Sequence, residues 1–441
     1  MNDREWTIMI YMAGDNNLAV AMAYAMEQIK RAAGEVSDSL NLFVYYDGNS
    51  PSIPTFYCDF SDPGRPRYVP AFSVADKLHP GPGSKNENAA DPRSVLDFVD
   101  WCANKAEVED QGRTSRGRRA RRYALIFSGH SLGFQDIGLF RDETSDRSME
   151  MKDLRLLLRE TTVLLGQKLD ILGFDSCVMG MLEVGNQFSS VASTMVASEG
   201  SIPSAGWPYE RLLGCFRADQ RVEAVVENIV REFVRSHEPC TIGGVSVDIA
   251  AWDLSRFGDL TRAFDELSMA LLQCFEDEGS RLYRQMERAL VLVHWKCQSY
   301  MYDQNVDLGD FCDLLERECG LIAGELGDDG EFSSALGKVQ ERCRKVRAEL
   351  EKAVILSGFC GGAYQYSNGV SVFFPWSRAG YEVSRRNYES LWSAWSVADR
   401  PFGWATFMNK YLSDIALRKI DRLTEEGRSV MELTGSSGAQ A

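Results

Sequence analysis

The chain has 441 residues, with 48 Lys and Arg against 64 Asp and Glu, giving a formal charge of −16. That length can bury a large core and suggests two or three domain-sized units. A net acidic surface repels phosphate backbones and anionic lipids, so nucleic acid and membrane surfaces are not expected partners, and cationic ligands are favoured. Eleven scattered cysteines with no Cys-x-x-Cys pair, and no His/Cys spacing of a metal site, read as reduced, mostly buried thiols. No run approaches the roughly 20 apolar residues that span a bilayer, and no basic start precedes an apolar stretch. A cytoplasmic protein is expected from the sequence as it stands, or a secreted one if a signal peptide has been removed.

WTIMIYMAG from Trp6 predicts a buried strand, AVAMAYAMEQIKRAA a helix and LNLFVYYDG from Leu40 a second strand. The Pro-, Gly- and Asp-rich stretch between Asp59 and Asp91 reads as loop with an edge hairpin. DPRSVLDFVDWCANKA has helical spacing behind an early Pro. The basic run RTSRGRRARR, Arg113 to Arg122, lacks interleaved aromatics and reads as a solvated loop. YALIFSGH is a third strand ending at His130, KDLRLLLRETTVLL a helix, and LDILGFDSC a fourth strand ending at Cys177. MGMLEVGNQFSSV is read as helix and TMVASEG as a fifth strand. Strands alternating with helices predict an α/β sandwich around a mostly parallel sheet.

After about residue 255, long charged helices dominate, as in FGDLTRAFDELSMALLQCFEDE and SALGKVQERCRKVRAELEKAV. NGVSVFFPW predicts a late strand returning to the main sheet, FGWATFMNKYLSDIALRKIDRL a helix, and GSSGAQA a disordered tail. The expected organisation is an α/β core over residues 1–255, a helical subdomain over 256–355, and the returning strand with C-terminal helices over 356–441.

Short buried runs ending in abrupt polar turns suit a parallel sheet, whose carboxyl edge is where chemistry collects. Two parallel neighbours ending in His130 and Cys177 place an imidazole and a thiol at one edge, the layout of a cysteine–histidine hydrolase. Cys177 precedes the MGMLEVGNQF helix, whose positive end is expected to favour the thiolate. His130 sits in the small-residue turn Ser-Gly-His-Ser-Leu-Gly, where backbone N–H groups could join that of Cys177 as an oxyanion hole. Asp175 shares a strand face with Cys177. It reads either as a turn-capping residue or as an anionic floor for an Arg or Lys side chain. The acidic stretch GDDGE from Gly327 lacks alternating ligands over twelve residues, so no calcium loop is read there.

In order along the chain, IMIYMAGDNNL, ADPRSVLDFVDW, YALIFSGHSLGF, LDILGFDSCVMGMLEV, ASEGSIPSAGWPYERLL, VDIAAWDLSRFGDL, NVDLGDF, GVSVFFPW and FGWATFMNKYL resemble blocks of the clostripain-type cysteine peptidases, relatives of caspases, gingipains and legumains. The likeness covers about residues 6–412. It implies a caspase-like α/β/α fold, a catalytic dyad of His130 and Cys177, and Asp175 in a pocket that selects Arg and sometimes Lys. It also implies self-cleavage between the His and Cys blocks, where Arg147-Ser148 is the expected site and Arg141 and Lys152 are alternatives. No cofactor is implied, except that some members depend on calcium and others do not.

The family's His-Gly-x-Gly-Trp is here His130-Ser131-Leu132-Gly133-Phe134. The N–H of Ser131 can still face an oxyanion, provided its backbone conformation is one that a non-glycine residue adopts. Glu210, in GWPYERLL, is a candidate second acidic contact. The leading expectation is a cysteine endopeptidase acting on Arg- or Lys-containing proteins and peptides. Two others stand beside it: a weak or inactive homologue serving as a regulatory or binding module, and a protease silent until a partner protein binds the region after residue 255.

Overall fold

A computed structural model describes residues 4–36, 40–50, 52–62, 64–71, 85–105, 119–135, 138–300, 304–326, 330–393 and 400–414. Strand β1 (Arg4–Met12) leads through helix α1 (Ala19–Val36) to β2 (Leu40–Tyr46), and β3 (Phe56–Asp59) and β4 (Arg67–Pro70) form an edge hairpin. Helix α2 (Pro92–Asp100) starts where the Asp91 side chain accepts the Arg93 N–H and Pro92 needs no partner for a missing one. Then come β5 (Ala120–Ser128), a small hairpin of β6 (Leu139–Asp142) and β7 (Arg147–Met149), α3 (Met151–Leu165) and β8 (Leu169–Asp175). Next are α4 (Leu182–Phe188), β9 (Ala192–Ala197), α5 (Tyr209–Leu212), α6 (Val222–His237) and β10 (Val247–Asp253).

The rest of the chain holds α7 (Phe257–Gln273), α8 (Arg281–Lys296), β11 (Ser299–Tyr300), β12 (Asn305–Asp307), α9 (Leu308–Leu326) and α10 (Gly330–Ala353). It continues with β13 (Val354–Cys360), β14 (Ser371–Phe373), α11 (Arg378–Trp392) and a helix over 403–414. The C-terminal tail lies outside the described residues.

Nine strands make one sheet in the order β13–β10–β9–β8–β5–β1–β2–β3–β4. The central five, β2–β1–β5–β8–β9, are parallel, and antiparallel strands flank them on both sides. Alternation along β1 divides the core. Ile8, Ile10 and Met12 face a layer containing α1 and α6 residues such as Ile29 and Phe233. Met9 and Tyr11 face a second layer with Phe98 of α2, Leu158 of α3 and Phe188 of α4. That layer is continuous with the packed side chains of α7 to α10, so the helical region shares one apolar cluster with the sheet. No disulfide joins any of the eleven cysteines.

The strand returning to the main sheet is β13 rather than NGVSVFFPW. That run instead supplies β14, which joins β11 and β12 in a separate three-stranded sheet. Most of β13 is only half-buried and sits at the sheet edge, so its apolar signal is weak and merges with the end of α10. Phe373 and Phe374 are fully buried because aromatic rings enclose them: Phe134 and Tyr388 around the first, Phe311, Trp404 and Tyr411 around the second. Apolar content thus reported burial, not sheet membership. The end of the basic run also differs from a solvated loop: Arg121 and Arg122 enter β5, pair with Glu5, and Arg122 stacks on Trp6. Residues 106–118 lie outside the described residues.

Candidate active site

Register brings His130 and Cys177 together. Ser128 at the end of β5 pairs with Asp175 at the end of β8, and both strands run the same way. Two residues beyond that pair, His130 and Cys177 leave the carboxyl edge side by side and line one cleft with about 540 Å³ of open volume. The other histidines do different work. His237 is hydrogen-bonded to the Phe233 carbonyl, and His294 stacks flat on Trp376. His79 lies outside the described residues.

His130 is half-buried, and its Nε2 meets Oδ1 of Asn17, just before α1, at 2.5 Å. With the amide oxygen as acceptor, the proton sits on Nε2 and Nδ1 is left with its lone pair. Burial lowers the imidazole's pKa, partly opposed by the charge of Glu143. The loop itself is fastened by the Phe140 N–H donating to the His130 carbonyl at 2.8 Å.

The Cys177 sulfur lies 3.3 Å from the Ile202 N–H, which it accepts, and 3.7 Å from the Ile202 carbonyl. Burial pushes the thiol's pKa up, although the Ile202 N–H favours the thiolate. The helix-dipole expectation is not met. Helix α4 begins only at Leu182, and Val178 to Met181 intervene. Those residues turn sharply: Val178 has φ 58°, a left-handed conformation rare for a β-branched residue that costs on the order of 1–3 kcal/mol. Its N–H is anchored to the Gly200 carbonyl at 2.9 Å. Burial thus works in the same sense on both groups of the cleft, favouring the uncharged thiol and the uncharged imidazole.

Ser131 does not occupy a glycine-only conformation. Among the described non-glycine residues, left-handed φ occurs at Phe140, Asp146 and Val178, not at Ser131. Its hydroxyl donates to the Cys177 carbonyl, joining the two loops directly, which glycine could not do. Among the described residues, no backbone acceptor takes the N–H of Ser131 or of Cys177. Phe134 packs in the core against Phe373 and Tyr388.

Asp175 forms the floor of the cleft. Its Oδ1 accepts the Trp207 N–H at 2.9 Å, and its Oδ2 accepts the hydroxyls of Ser128 at 2.8 Å and Tyr209 at 2.9 Å. Burial raises its pKa to about 6 against those three donors. Three of roughly four acceptor positions are used, which leaves one on Oδ1. Leu18, Met22 and Ala25 of α1 and its approach make an apolar wall, and Ile202 to Gly206 make the other. The geometry fits an extended aliphatic stem with a cationic head.

Glu210 is placed elsewhere: it sits on the outer side of α5, 3.9 Å from Arg31, and does not line the cleft. The same block contributes Tyr209 instead. Arg147, in the expected cleavage site, is exposed and opens β7, paired with Asp142 of β6 just after a turn over residues 143–146. Arg141 lies in β6 beside Asp146, and Lys152 in the first turn of α3 beside Glu150. Alternating side chains at a hairpin only a few residues long carry too little pattern to separate strand from turn. Asn17, Trp207 and Tyr209 were missed because each acts through one side-chain or backbone atom from a distant segment.

The clostripain family profile of the C11 peptidases matches residues 10–391. Clostripain of Hathewaya histolytica is 26% identical over 240 residues, 48% of this chain and 42% of that protein, so the aligned stretch spans less than half of the curated relative. An inactive zymogen C11 protease from Parabacteroides distasonis superposes with a TM-score of 0.58 at 19% identity, covering 88% of this chain and 97% of that one. A secreted C11 cysteine protease from Bacteroides thetaiotaomicron, bound to an irreversible peptide inhibitor, gives 0.56 at 17% identity, covering 89% and 100%. With the profile spanning most of its length, the chain belongs to the clostripain family of peptidases.

Proposed function

We propose that this protein is a cysteine endopeptidase that cleaves after Arg or Lys, with Cys177 as nucleophile and His130 as its proton carrier. The observation that carries this reading is the shared cleft, in which imidazole, thiol and a buried carboxylate converge. A substrate side chain lies along Met22 and Ala25, and its cationic head gives the remaining acceptor position of Asp175 one charge-assisted hydrogen bond. A single bond of this kind suits an ammonium as well as a guanidinium.

Because burial favours the uncharged forms of both thiol and imidazole, proton transfer accompanies attack. The Cys177 proton passes to Nδ1 of His130 as sulfur bonds to the scissile carbonyl carbon. The carbonyl oxygen becomes an oxyanion beside the N–H groups of Ser131 and Cys177. The imidazolium then protonates the leaving amine as the C–N bond breaks. Water, giving a proton back to His130, hydrolyses the thioester and regenerates the thiol. The Ser131–Cys177 hydroxyl bond keeps both oxyanion donors in register, so the change from His-Gly does not by itself argue for an inactive module.

Self-processing at Arg147 belongs to the same reading. The bond is exposed but lies in a hairpin, so β6 and β7 must separate before the segment can extend into a cleft. Hydrolysis of Arg, Lys and Asp reporter peptides by the parent chain and Cys177→Ala tests the proposal. Arg and Lys turnover that disappears in the variant is expected; turnover that survives it removes Cys177 from the mechanism.

A further inference from the structure

Beside the cleft, the carboxyl ends of β1 and β2 and the β6–β7 hairpin bring three aspartates together. Asp15, Asp47 and Asp142 each present a carboxylate oxygen, all within 4.8 Å of one another, and all three side chains are completely buried. Two oxygens on opposite sides of a calcium ion, each about 2.4 Å from it, stand about 4.8 Å apart. Their protein donors do not satisfy them. Asp142 accepts the N–H groups of Ala89 and Ser145, Asp47 Oδ1 accepts Thr55 and Asn86, and Asp15 Oδ2 accepts the Thr144 N–H. Oδ1 of Asp15 and Oδ2 of Asp47 have no hydrogen-bond partner. Glu87 is also buried, with neither oxygen hydrogen-bonded.

We propose that Asp15, Asp47 and Asp142 bind one divalent cation of the calcium–magnesium class, and that the ion clamps the loop carrying Asn17, which holds the His130 ring, to the β6–β7 hairpin. An all-oxygen, all-carboxylate set selects a hard cation over zinc or copper. A bound ion would give the two unpartnered carboxylate oxygens, Asp15 Oδ1 and Asp47 Oδ2, the partner that the protein does not supply. The mechanical link runs through adjacent bonds. Two residues after Asp15, Asn17 holds the His130 ring; Asn16 donates to the Arg141 carbonyl at 2.8 Å, and the Glu143 N–H donates to the Asp15 carbonyl at 2.8 Å. The ion site stands without the peptidase reading; only its effect on His130 rests on that reading.

The test uses the full chain carrying Cys177→Ala, stripped with chelator and titrated calorimetrically with calcium and with magnesium, so that no readout depends on activity. One ion per chain is expected, with Kd on the order of 10⁻⁶ to 10⁻⁴ M for calcium. Binding should weaken at least roughly tenfold in Asp15→Asn and in Asp47→Asn. Melting should cross over: with chelator both variants match or exceed the parent, because like-charge repulsion is relieved, and with calcium they fall below it. No saturable binding of either ion overturns the proposal, as does unchanged affinity in both variants. Should one variant fail to fold, the other and the parent titration decide alone. Labelling of Cys177 in the parent chain separately tests the peptidase reading.

Discussion

Replacing Asp175 with Asn should separate specificity from stability in opposite directions. Its pKa rises from 3.8 to about 6, so the folded state favours the protonated form. That preference is fully present below the ordinary value and is lost as pH rises through about 6. Two units at about 1.36 kcal/mol each mean that ionised Asp175 destabilises the fold on the order of 3 kcal/mol above pH 6. Asp175→Asn should therefore be more stable than the parent at pH 8 by up to about that amount, with the gain vanishing near pH 3. On Arg substrates it loses a charge-assisted bond in a buried site, about 2–4 kcal/mol, or roughly 30- to 1,000-fold in kcat/KM. Substrates with a neutral residue at the same position should change less than about threefold. The assay is paired kcat/KM on matched Arg and neutral peptides from pH 5 to 8, with denaturant unfolding at both ends. Equal losses on the two peptides would refute the assignment of Asp175 to the specificity floor; a variant less stable at pH 8 would refute the raised pKa of its carboxyl.

Gly206 has φ 69°, and a Cβ there would lie 2.8 Å from Oδ2 of Asp175. Gly206→Ala should raise KM for Arg peptides, while labelling of Cys177 by iodoacetamide stays unchanged; unchanged KM would show that the wall is not used. Ser131→Ala removes the hydroxyl bond to the Cys177 carbonyl, worth about 1 kcal/mol, and should lower kcat several-fold with KM held. A purely structural role would leave kcat intact. Alkylation of Cys177 should be slow at neutral pH and climb through and beyond the ordinary thiol range, since burial raises its pKa. A rate already on its plateau at pH 6 would instead reveal a thiolate–imidazolium pair.

The parallel core was legible because β1, β5 and β8 are short continuous apolar runs that end in abrupt turns, and a sheet buried on both faces demands that pattern. The same feature carried the pair His130 and Cys177, since strand ends at a shared register need no long-range knowledge. Two errors have physical causes. The β13 strand is half-buried at an edge and follows a charged helix without a break, whereas β14 is apolar because aromatic rings surround it. The apolar MGMLEV segment suggested a helix starting at Met179, but Gly180 packs its backbone against Ser198 and Glu199, closer than a side chain would permit, and helix starts only after that contact. What stayed invisible was built by convergence from far apart in the chain: Asn17 on His130, Tyr209 and the Trp207 N–H on Asp175, and the three aspartates beside them. No local spacing announces such contacts.

A competent Cys177 above a basic-residue pocket should be captured covalently by an arginyl chloromethyl ketone, as read by intact mass and peptide mapping. One adduct on Cys177 is expected, lost in His130→Ala and strongly slowed in Asp175→Asn. Cys240 is exposed and serves as an internal control for indiscriminate alkylation. An adduct on Cys240 with Cys177 left unmodified would rule out a competent Cys177, and equal labelling by an uncharged analogue would rule out the basic-residue pocket.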